Sequence, residues 1–342
     1  MELPGLFARY RIELGEYLKS AVPESSPALL HRMMRYHLGW EDEQGRPLAE
    51  GAGKALRPTL CLWACQAMGG DWRTALPAAA ALELVHNFSL VHDDIQDGDR
   101  ERHHRPTVWS LWGQPQAINA GDSLLILGRL VLSRLEERGV APAKVIEACR
   151  VLDGACLTMI QGQCLDIGFE DERGVSVEDY LDMIARKTGA LLGASLHLGA
   201  LVAVDDEPQA KRFARCGHLL GLAFQIRDDI LGVWGAADVT GKPVAADIRR
   251  RKKSLPVVYA MAVAQPEERE QLIGVYRQGT PGDDEVSTVL QLLDSHRAYD
   301  YCQQMAQERI EQALAELAPV DIEPTARREF EAVARFLVER EF

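Results

Sequence analysis

The stretch ALPAAAALELVHNFSLVHDDIQD (75–97) reads first as a buried helix and then as something that should not be buried. Apolar residues recur at three- and four-residue intervals up to Val91, the period of a helix packed on a core. The run then ends in three carboxylates within five residues, Asp93, Asp94 and Asp97. Asp99 and a cluster of arginines and histidines follow in GDRERHHRPTVW (98–109). On a helix, Asp93 and Asp97 are i and i+4, so they project from one face about a turn apart. At about 6 Å their repulsion is roughly 0.7 kcal/mol in water and nearer 3 kcal/mol at an effective dielectric of about 20. Negative charge at a helix C-terminus also opposes the macrodipole. The plain alternative is a solvated acidic helix end. A hard divalent cation would remove the conflict, because carboxylate oxygens are its preferred ligands and Mg²⁺ takes one or two of them while sharing a phosphate.

The same helical period runs through VIEACRVLDGACLTMIQGQCLDIGF (145–169) and GHLLGLAFQIRDDILGVW (217–234), while alternating strand-like stretches are scarce. Polar joints with Gly or Pro fall at 41–53, 113–116, 138–143, 170–176, 204–208, 278–285 and 317–325. None looks like a flexible linker, and no repeat of twenty to fifty residues is visible. The expectation is a single all-α domain over residues 1–342, with roughly a dozen helices. FQIRDDILGVWG (224–235) is a second apolar helix ending in an Asp pair, Asp228 and Asp229, with Gln225 about one turn earlier. The two acidic ends are candidates to face each other across one cavity.

Composition narrows the partners. The chain has 342 residues, 47% of them hydrophobic, and a formal net charge of −13, which argues against nucleic acid. No window approaches eighteen consecutive apolar residues, and acids appear too early in MELPGLFARYRIELGEYL for a signal or transit peptide. The expectation is therefore a cytoplasmic protein with no membrane span. Seven cysteines without a CxxC pair read as reduced, mostly buried thiols.

An anionic ligand would need local cations. GAGKALRP offers Lys54 and Arg57 at i and i+3, and Arg102 and Arg105 follow the first acidic motif. ARKTG offers Lys187 and Thr188, and TGKPVAADIRRRKKSLP offers Lys242 and the run Arg249 to Lys253. Taken singly, each reads as a solvated charge. A nucleotide phosphate loop around Lys54 fails, since Leu48 and Ala55 stand where its first glycine and its Ser or Thr belong.

Taken together, these blocks resemble the trans-isoprenyl diphosphate synthases, the polyprenyl synthetase family. In order from about 51 to 256 they are AGKALRP, ELVHNFSLVHDD, DDIQD with its basic residues and RPT, Gln163 with Asp166, Lys187-Thr188, FQIRDD, TGKP and KKSLP. The resemblance implies an all-α bundle around a deep central cavity, as a homodimer. It implies Asp93, Asp97 and Asp228 as Mg²⁺ ligands, three ions being held with substrate bound, and Asp94 in a supporting catalytic role. Arg102, Lys187, Thr188, Gln225, Lys242 and Lys253 would hold an allylic diphosphate. Lys54, Arg57, His86 and His103 would hold isopentenyl diphosphate, although His86 also reads as a satisfied core histidine.

The implied chemistry suits these groups. Ionisation of the allylic C–O bond places its new negative charge among cations already in position. The alkene of isopentenyl diphosphate attacks the carbocation, and proton loss gives a product five carbons longer. Phe88 and Ser89, five and four residues before Asp93 with no insertion in DDIQD, resemble the short-chain pattern. That pattern implies geranylgeranyl diphosphate, with farnesyl diphosphate next, while Phe88 as ordinary core is the alternative.

Two departures stand out. Gly232 occupies the last position of a second motif that is usually DDxxD, and Arg102-His103 replaces the usual Arg-Arg. Imidazole is neutral for much of the range near pH 7 and lacks the guanidinium fork. The rival readings are a class I terpene cyclase, which has no second diphosphate to hold, and a noncatalytic partner subunit of a prenyl synthase.

Overall fold

The helical periods are realised in a computed structural model that describes residues 5–24, 28–48, 55–172, 174–235, 245–277 and 281–339. Among the described residues it is all-α apart from one two-residue hairpin and an isolated bridge between Glu41 and Pro47. The chain divides into two compact units. Among the described residues, the N-terminal unit comprises those in 5–153 and 195–211, and the C-terminal unit those in 154–194 and 212–339. None of the seven cysteines is in a disulfide.

The N-terminal unit is built from α1 (Leu6–Ala21), α2 (Leu29–His37), α3 (Leu56–Ala67), α4 (Leu76–Gln96), α5 (Val108–Trp112), α6 (Gln114–Ser133) and the start of α7 (Pro142–Asp171). Helix α4 starts with Pro77 in its first turn, where a missing N–H costs nothing. From Ala78 to Val85 every residue except Glu83 is fully buried. Burying each of Leu82, Leu84 and Val85 is worth about 1.5–3 kcal/mol, and the alanine run lets neighbouring helices, α6 among them, approach closely. The segment 72–96 is the one described stretch long and apolar enough to cross a membrane. With 72% of its apolar window buried inside the protein, it is a core helix.

Beyond α4 the chain makes a hairpin that the sequence did not announce, β1 (Glu101–Arg102) against β2 (Arg105–Pro106), with Arg102 opposite Arg105. Strands of two residues carry no alternation to read. The turn residues His103 and His104 have φ of 51° and 59°, the left-handed pair that a two-residue hairpin requires. The hairpin is tied down on both sides. Arg105 donates to the carbonyls of Tyr36 at 3.1 Å and Glu41 at 2.8 Å, and Trp109 Nε1 and Thr107 Oγ1 both donate to the carbonyl of Asp99.

The C-terminal unit continues α7 and contains α8 (Val177–Ile184), a π-helical turn (Ala185–Gly189), the start of α9 (Ala190–Ala203) and most of α10 (Glu207–Trp234). It goes on through α11 (Ala246–Arg249), α12 (Leu255–Val263), α13 (Pro266–Arg277), α14 (Asp283–Ser295), α15 (Ala298–Leu317) and α16 (Pro324–Glu339). Helix α8 is started by a capping box. Ser176 Oγ accepts from the Asp179 N–H at 3.0 Å, and the Asp179 carboxylate accepts from the Ser176 N–H at 3.3 Å. Val233, Ile248, Val257, Leu272, Val289 and Leu293 belong to one buried core.

Candidate active site

In the N-terminal unit, the first acidic motif lies where the sequence put it, on the last turn of α4. Asp97 is the C-terminal cap, and its N–H donates to the Asp93 carbonyl at 2.8 Å, so the two carboxylates keep helical register. Asp93 is half-buried and Asp97 exposed, whereas Asp94 points inward with 1% exposure. Arg102 Nε donates to Asp94 Oδ1 at 2.8 Å, while Oδ2 is buried without a hydrogen-bond partner. Burial pushes the Asp94 pKa up to about 6, with Arg102 opposing. Arg102 is thereby tied to the inward carboxylate of the motif.

The N-terminal cations form one neighbourhood. Burial, then Arg57, Arg102 and His37, hold the His86 pKa well below the ordinary histidine value, so the ring is neutral and offers a single N–H. His37 is held down to about 3 by burial and then by Arg102 and Arg105. Ser89 spends its hydroxyl on the His86 carbonyl at 2.8 Å. Phe88 is buried, edge-on to the His92 ring at 5.1 Å. His103 is exposed on the hairpin turn. Lys54 and Lys242 lie outside the described residues.

In the C-terminal unit, Lys187 and Thr188 sit on the π-helical turn, a feature frequent at functional sites. Gly162 of α7 makes room for it. A Cβ there would lie 2.7 Å from Lys187 Cα and 2.9 Å from the Arg186 carbonyl carbon, both backbone. Lys187 Nζ donates to Asp166 Oδ2 at 2.5 Å. Burial would raise the Asp166 pKa, but Lys187 and then Lys252 outweigh it and leave the carboxyl below its ordinary value.

The second acidic motif repeats the division seen in the first. Asp228 is half-buried, while Asp229 is turned inward and 1% exposed. Asp229 accepts from Tyr180 Oη at 2.5 Å, from Gln225 Nε2 at 3.1 Å and from the Leu255 N–H at 3.2 Å. Gln225 Oε1 accepts from Thr188 Oγ1 at 2.8 Å, which links the π turn to α10. Burial raises the Asp229 pKa to about 6, against the pull of Lys252.

Lys253 does not join this group. Its ammonium donates to the carbonyls of Phe169, Glu170 and Glu172 at the end of α7, a favourable place for a cation. The lysine among the carboxylates is its neighbour, Lys252. Burial opposes its charge, but Asp247, Asp229, Asp166 and Asp228 raise its pKa above the ordinary lysine value. Spacing alone does not distinguish two adjacent lysines. Tyr180 and Asp247 were also missed, since neither lies in an acidic motif.

The residues fit Mg²⁺. The outward carboxylates are hard oxygen donors, and among the described residues no three His, Cys, Asp or Glu side chains form a ready-made cage. Hard oxygen donors suit an ion which takes one or two carboxylates and completes its shell with water and phosphate.

The polyprenyl synthetase family model matches residues 41–293, which cover both acidic motifs and the segments around them. The chain belongs to the polyprenyl synthetase family. Among its relatives are the geranylgeranyl diphosphate synthase of Mycobacterium tuberculosis, 43% identical over 317 residues (91% of this chain, 88% of that protein), and the (2E,6E)-farnesyl diphosphate synthase of the same species, 38% identical over 312 residues (90% and 86%). A polyprenyl synthetase crystal structure from Streptomyces coelicolor superposes with TM-score 0.90 at 37% identity, covering 97% of this chain and 98% of that one. A geranylgeranyl pyrophosphate synthase from Corynebacterium glutamicum, complexed with isoprenyl diphosphate and magnesium, superposes with TM-score 0.83 at 26% identity, covering 99% and 100%. The all-α fold is that of these enzymes, and family membership makes the protein a trans-prenyltransferase.

Proposed function

We propose that the protein condenses isopentenyl diphosphate head to tail with an allylic diphosphate, in a Mg²⁺-dependent reaction whose product is geranylgeranyl diphosphate. Farnesyl diphosphate is the competing length, and synthases of both kinds are among this chain's relatives. The observation that carries the reading is the repeated pairing at the two acidic motifs. In each, one Asp is half-buried and the next is buried and held by hydrogen-bond donors.

Asp93, Asp97 and Asp228 hold the metal, which when bound supplies Lewis acidity toward the leaving diphosphate. Arg102, Lys187 and Thr188 orient the allylic diphosphate, as does Lys242, together with the adjacent pair Lys252 and Lys253, of which Lys252 is the one set among the carboxylates. Gln225 keeps Thr188 and Asp229 in register. Arg57, Lys54, His103 and the neutral His86 hold the diphosphate of isopentenyl diphosphate. Phe88 limits product length from the face of α4 one turn before the acidic end.

The two units serve as one prenyltransferase domain, since the family match runs through both. The chain acts in the cytoplasm as a homodimer. Exposed Ile118, Ile126 and Leu130 on α6, and Leu157, Ile160 and Ile167 on α7, are apolar faces suited to a second copy. The test is to incubate purified protein with isopentenyl diphosphate, each allylic primer in turn and Mg²⁺, and to measure product length. A C20 product that vanishes with EDTA is expected. Cyclised terpene, or no elongation of any primer, would overturn the assignment.

A further inference from the structure

The sequence offers Arg105 as a cation for an anionic ligand, and the prenyl-transfer reading gives it no such role. In the structure its guanidinium is engaged inside the protein. One amino group donates to the Tyr36 carbonyl at 3.1 Å and the other to the Glu41 carbonyl at 2.8 Å, while Cζ lies 4.1 Å from the centroid of the Tyr36 ring. A guanidinium stacks and forks its hydrogen bonds at once, which an ammonium cannot do. Tyr36 bonds back, its Oη donating to the Pro106 carbonyl at 2.7 Å. The last turn of α2 and strand β2 are thus joined in both directions.

The anchor is firm. Tyr36 is buried and meets the Trp112 ring edge-on at 5.1 Å. Glu41 is buried and bridged to Pro47, and its carboxylate accepts from Arg35 Nε at 2.5 Å. The Leu48 N–H closes the same loop on the Trp40 carbonyl at 2.8 Å. The opposite strand of the 101–106 hairpin is held elsewhere. Arg102 lies directly across from Arg105, where like charges repel, and it is drawn to Asp94 of α4. The hairpin is therefore slung between α4 and α2, with the turn at His103 and His104 between the two ties. Without the α2 tie it still hangs from Arg102, and the turn is free to swing.

We propose that Arg105 and Tyr36 are a positioning pair for His103, clasping the hairpin to α2 so that the turn presents His103 to isopentenyl diphosphate, while Arg105 itself touches neither substrate. The use of His103 on that diphosphate rests on the prenyl-transfer reading, whereas the clasp does not. Arg102 keeps its own tie to Asp94, so weakening the clasp falls on isopentenyl diphosphate rather than on the allylic substrate.

The test uses the full chain with Arg105→Lys and Tyr36→Phe. Amide hydrogen exchange of 98–107 is followed by mass spectrometry without substrate or metal, and kcat and KM are then read for each diphosphate with Mg²⁺. Loss of one tethering bond in Tyr36→Phe should speed exchange at 98–107 about fivefold, and Arg105→Lys about tenfold, with 78–92 of α4 unchanged. KM for isopentenyl diphosphate should rise about fivefold in Arg105→Lys and about threefold in Tyr36→Phe. The allylic KM and kcat should stay within about twofold, as when only uniform binding of one substrate is lost. Tyr36→Phe separates positioning from contact, because it leaves the Arg105 charge in place, and as the loss of a single oxygen it decides the matter even if Arg105→Lys does not fold. Wild-type exchange at 98–107 in Tyr36→Phe would overturn the clasp. Wild-type KM for isopentenyl diphosphate in Tyr36→Phe, with a raised KM in Arg105→Lys, would make Arg105 a ligand and overturn its positioning role. A wild-type protein that elongates no primer would sink the prenyl-transfer reading instead, and the exchange rates would still report whether the two side chains hold the hairpin.

Discussion

Tyr180→Phe removes one hydroxyl from a buried carboxylate and leaves everything else in place. Tyr180 Oη donates to Asp229 Oδ2 at 2.5 Å, and both residues are about 1% exposed. A hydrogen bond to a charged, buried acceptor is worth about 1.5–3 kcal/mol, so about 2 kcal/mol should be lost at pH 8, where Asp229 is ionised. With typical unfolding entropies that corresponds to roughly 3 °C if the whole chain melts together, and roughly 5 °C if the C-terminal unit melts alone. The pH dependence has a definite sign. The Asp229 pKa is raised from its ordinary 3.8 to about 6, chiefly by burial, with the Tyr180 bond among the influences pulling it back down. Its raised pKa favours the folded state in acid, an advantage lost as pH rises through about 6. Without Tyr180 the pKa climbs further, by about one unit for each 1.4 kcal/mol lost. The variant's deficit should therefore be largest at pH 8 and shrink as Asp229 protonates toward pH 5. Calorimetric melting of both proteins across that range is the assay. Equal melting at pH 8, or a deficit that grows on acidification, would refute the reasoning.

Phe88→Ala should lengthen the products by at least one isoprene unit, read by chromatography of the dephosphorylated alcohols. An unchanged distribution would show that Phe88 is ordinary core. Gly162→Ala should cost about 1–3 kcal/mol in stability and most of the activity, because the methyl meets Lys187 backbone that cannot swing aside. Normal melting with normal KM for the allylic diphosphate would contradict the close approach. For His103→Arg, KM for isopentenyl diphosphate should lose its rise between pH 6 and 8.5, since guanidinium stays charged where imidazole does not. Identical profiles for the two proteins would remove His103 from the site.

Much of this architecture was legible because helices report themselves through period. The apolar run ending at Asp93 became α4, with Asp93 and Asp94 on its last turn, whereas the run ending at Asp228 became α10, which continues past Asp228 and Asp229 for more than a turn to Trp234. The spacing of Asp93 and Asp97 survived because the Asp97 N–H still bonds one turn back. What the sequence hid depends on contacts distant along the chain. Nothing in DDIQD or IRDDI says which Asp of each pair turns inward, a choice made by Arg102 for the first and by Tyr180 and Leu255 for the second. The π turn at Lys187 has no local signature, and its tight packing on Gly162 is visible only in three dimensions. The hairpin at 101–106 is too short to show alternation. Lys252 and Lys253 differ only in where the turn after α11 sends each ammonium.

The most direct measurement is a crystal of the wild-type protein grown with Mn²⁺ and inorganic pyrophosphate, with the metals located by anomalous scattering. The expected result is metal density on Asp93 and Asp97 and on Asp228, with pyrophosphate bridging it and Asp94 and Asp229 unligated. Metal bound away from these three carboxylates, or pyrophosphate held with none of them, would contradict the assignment of both motifs.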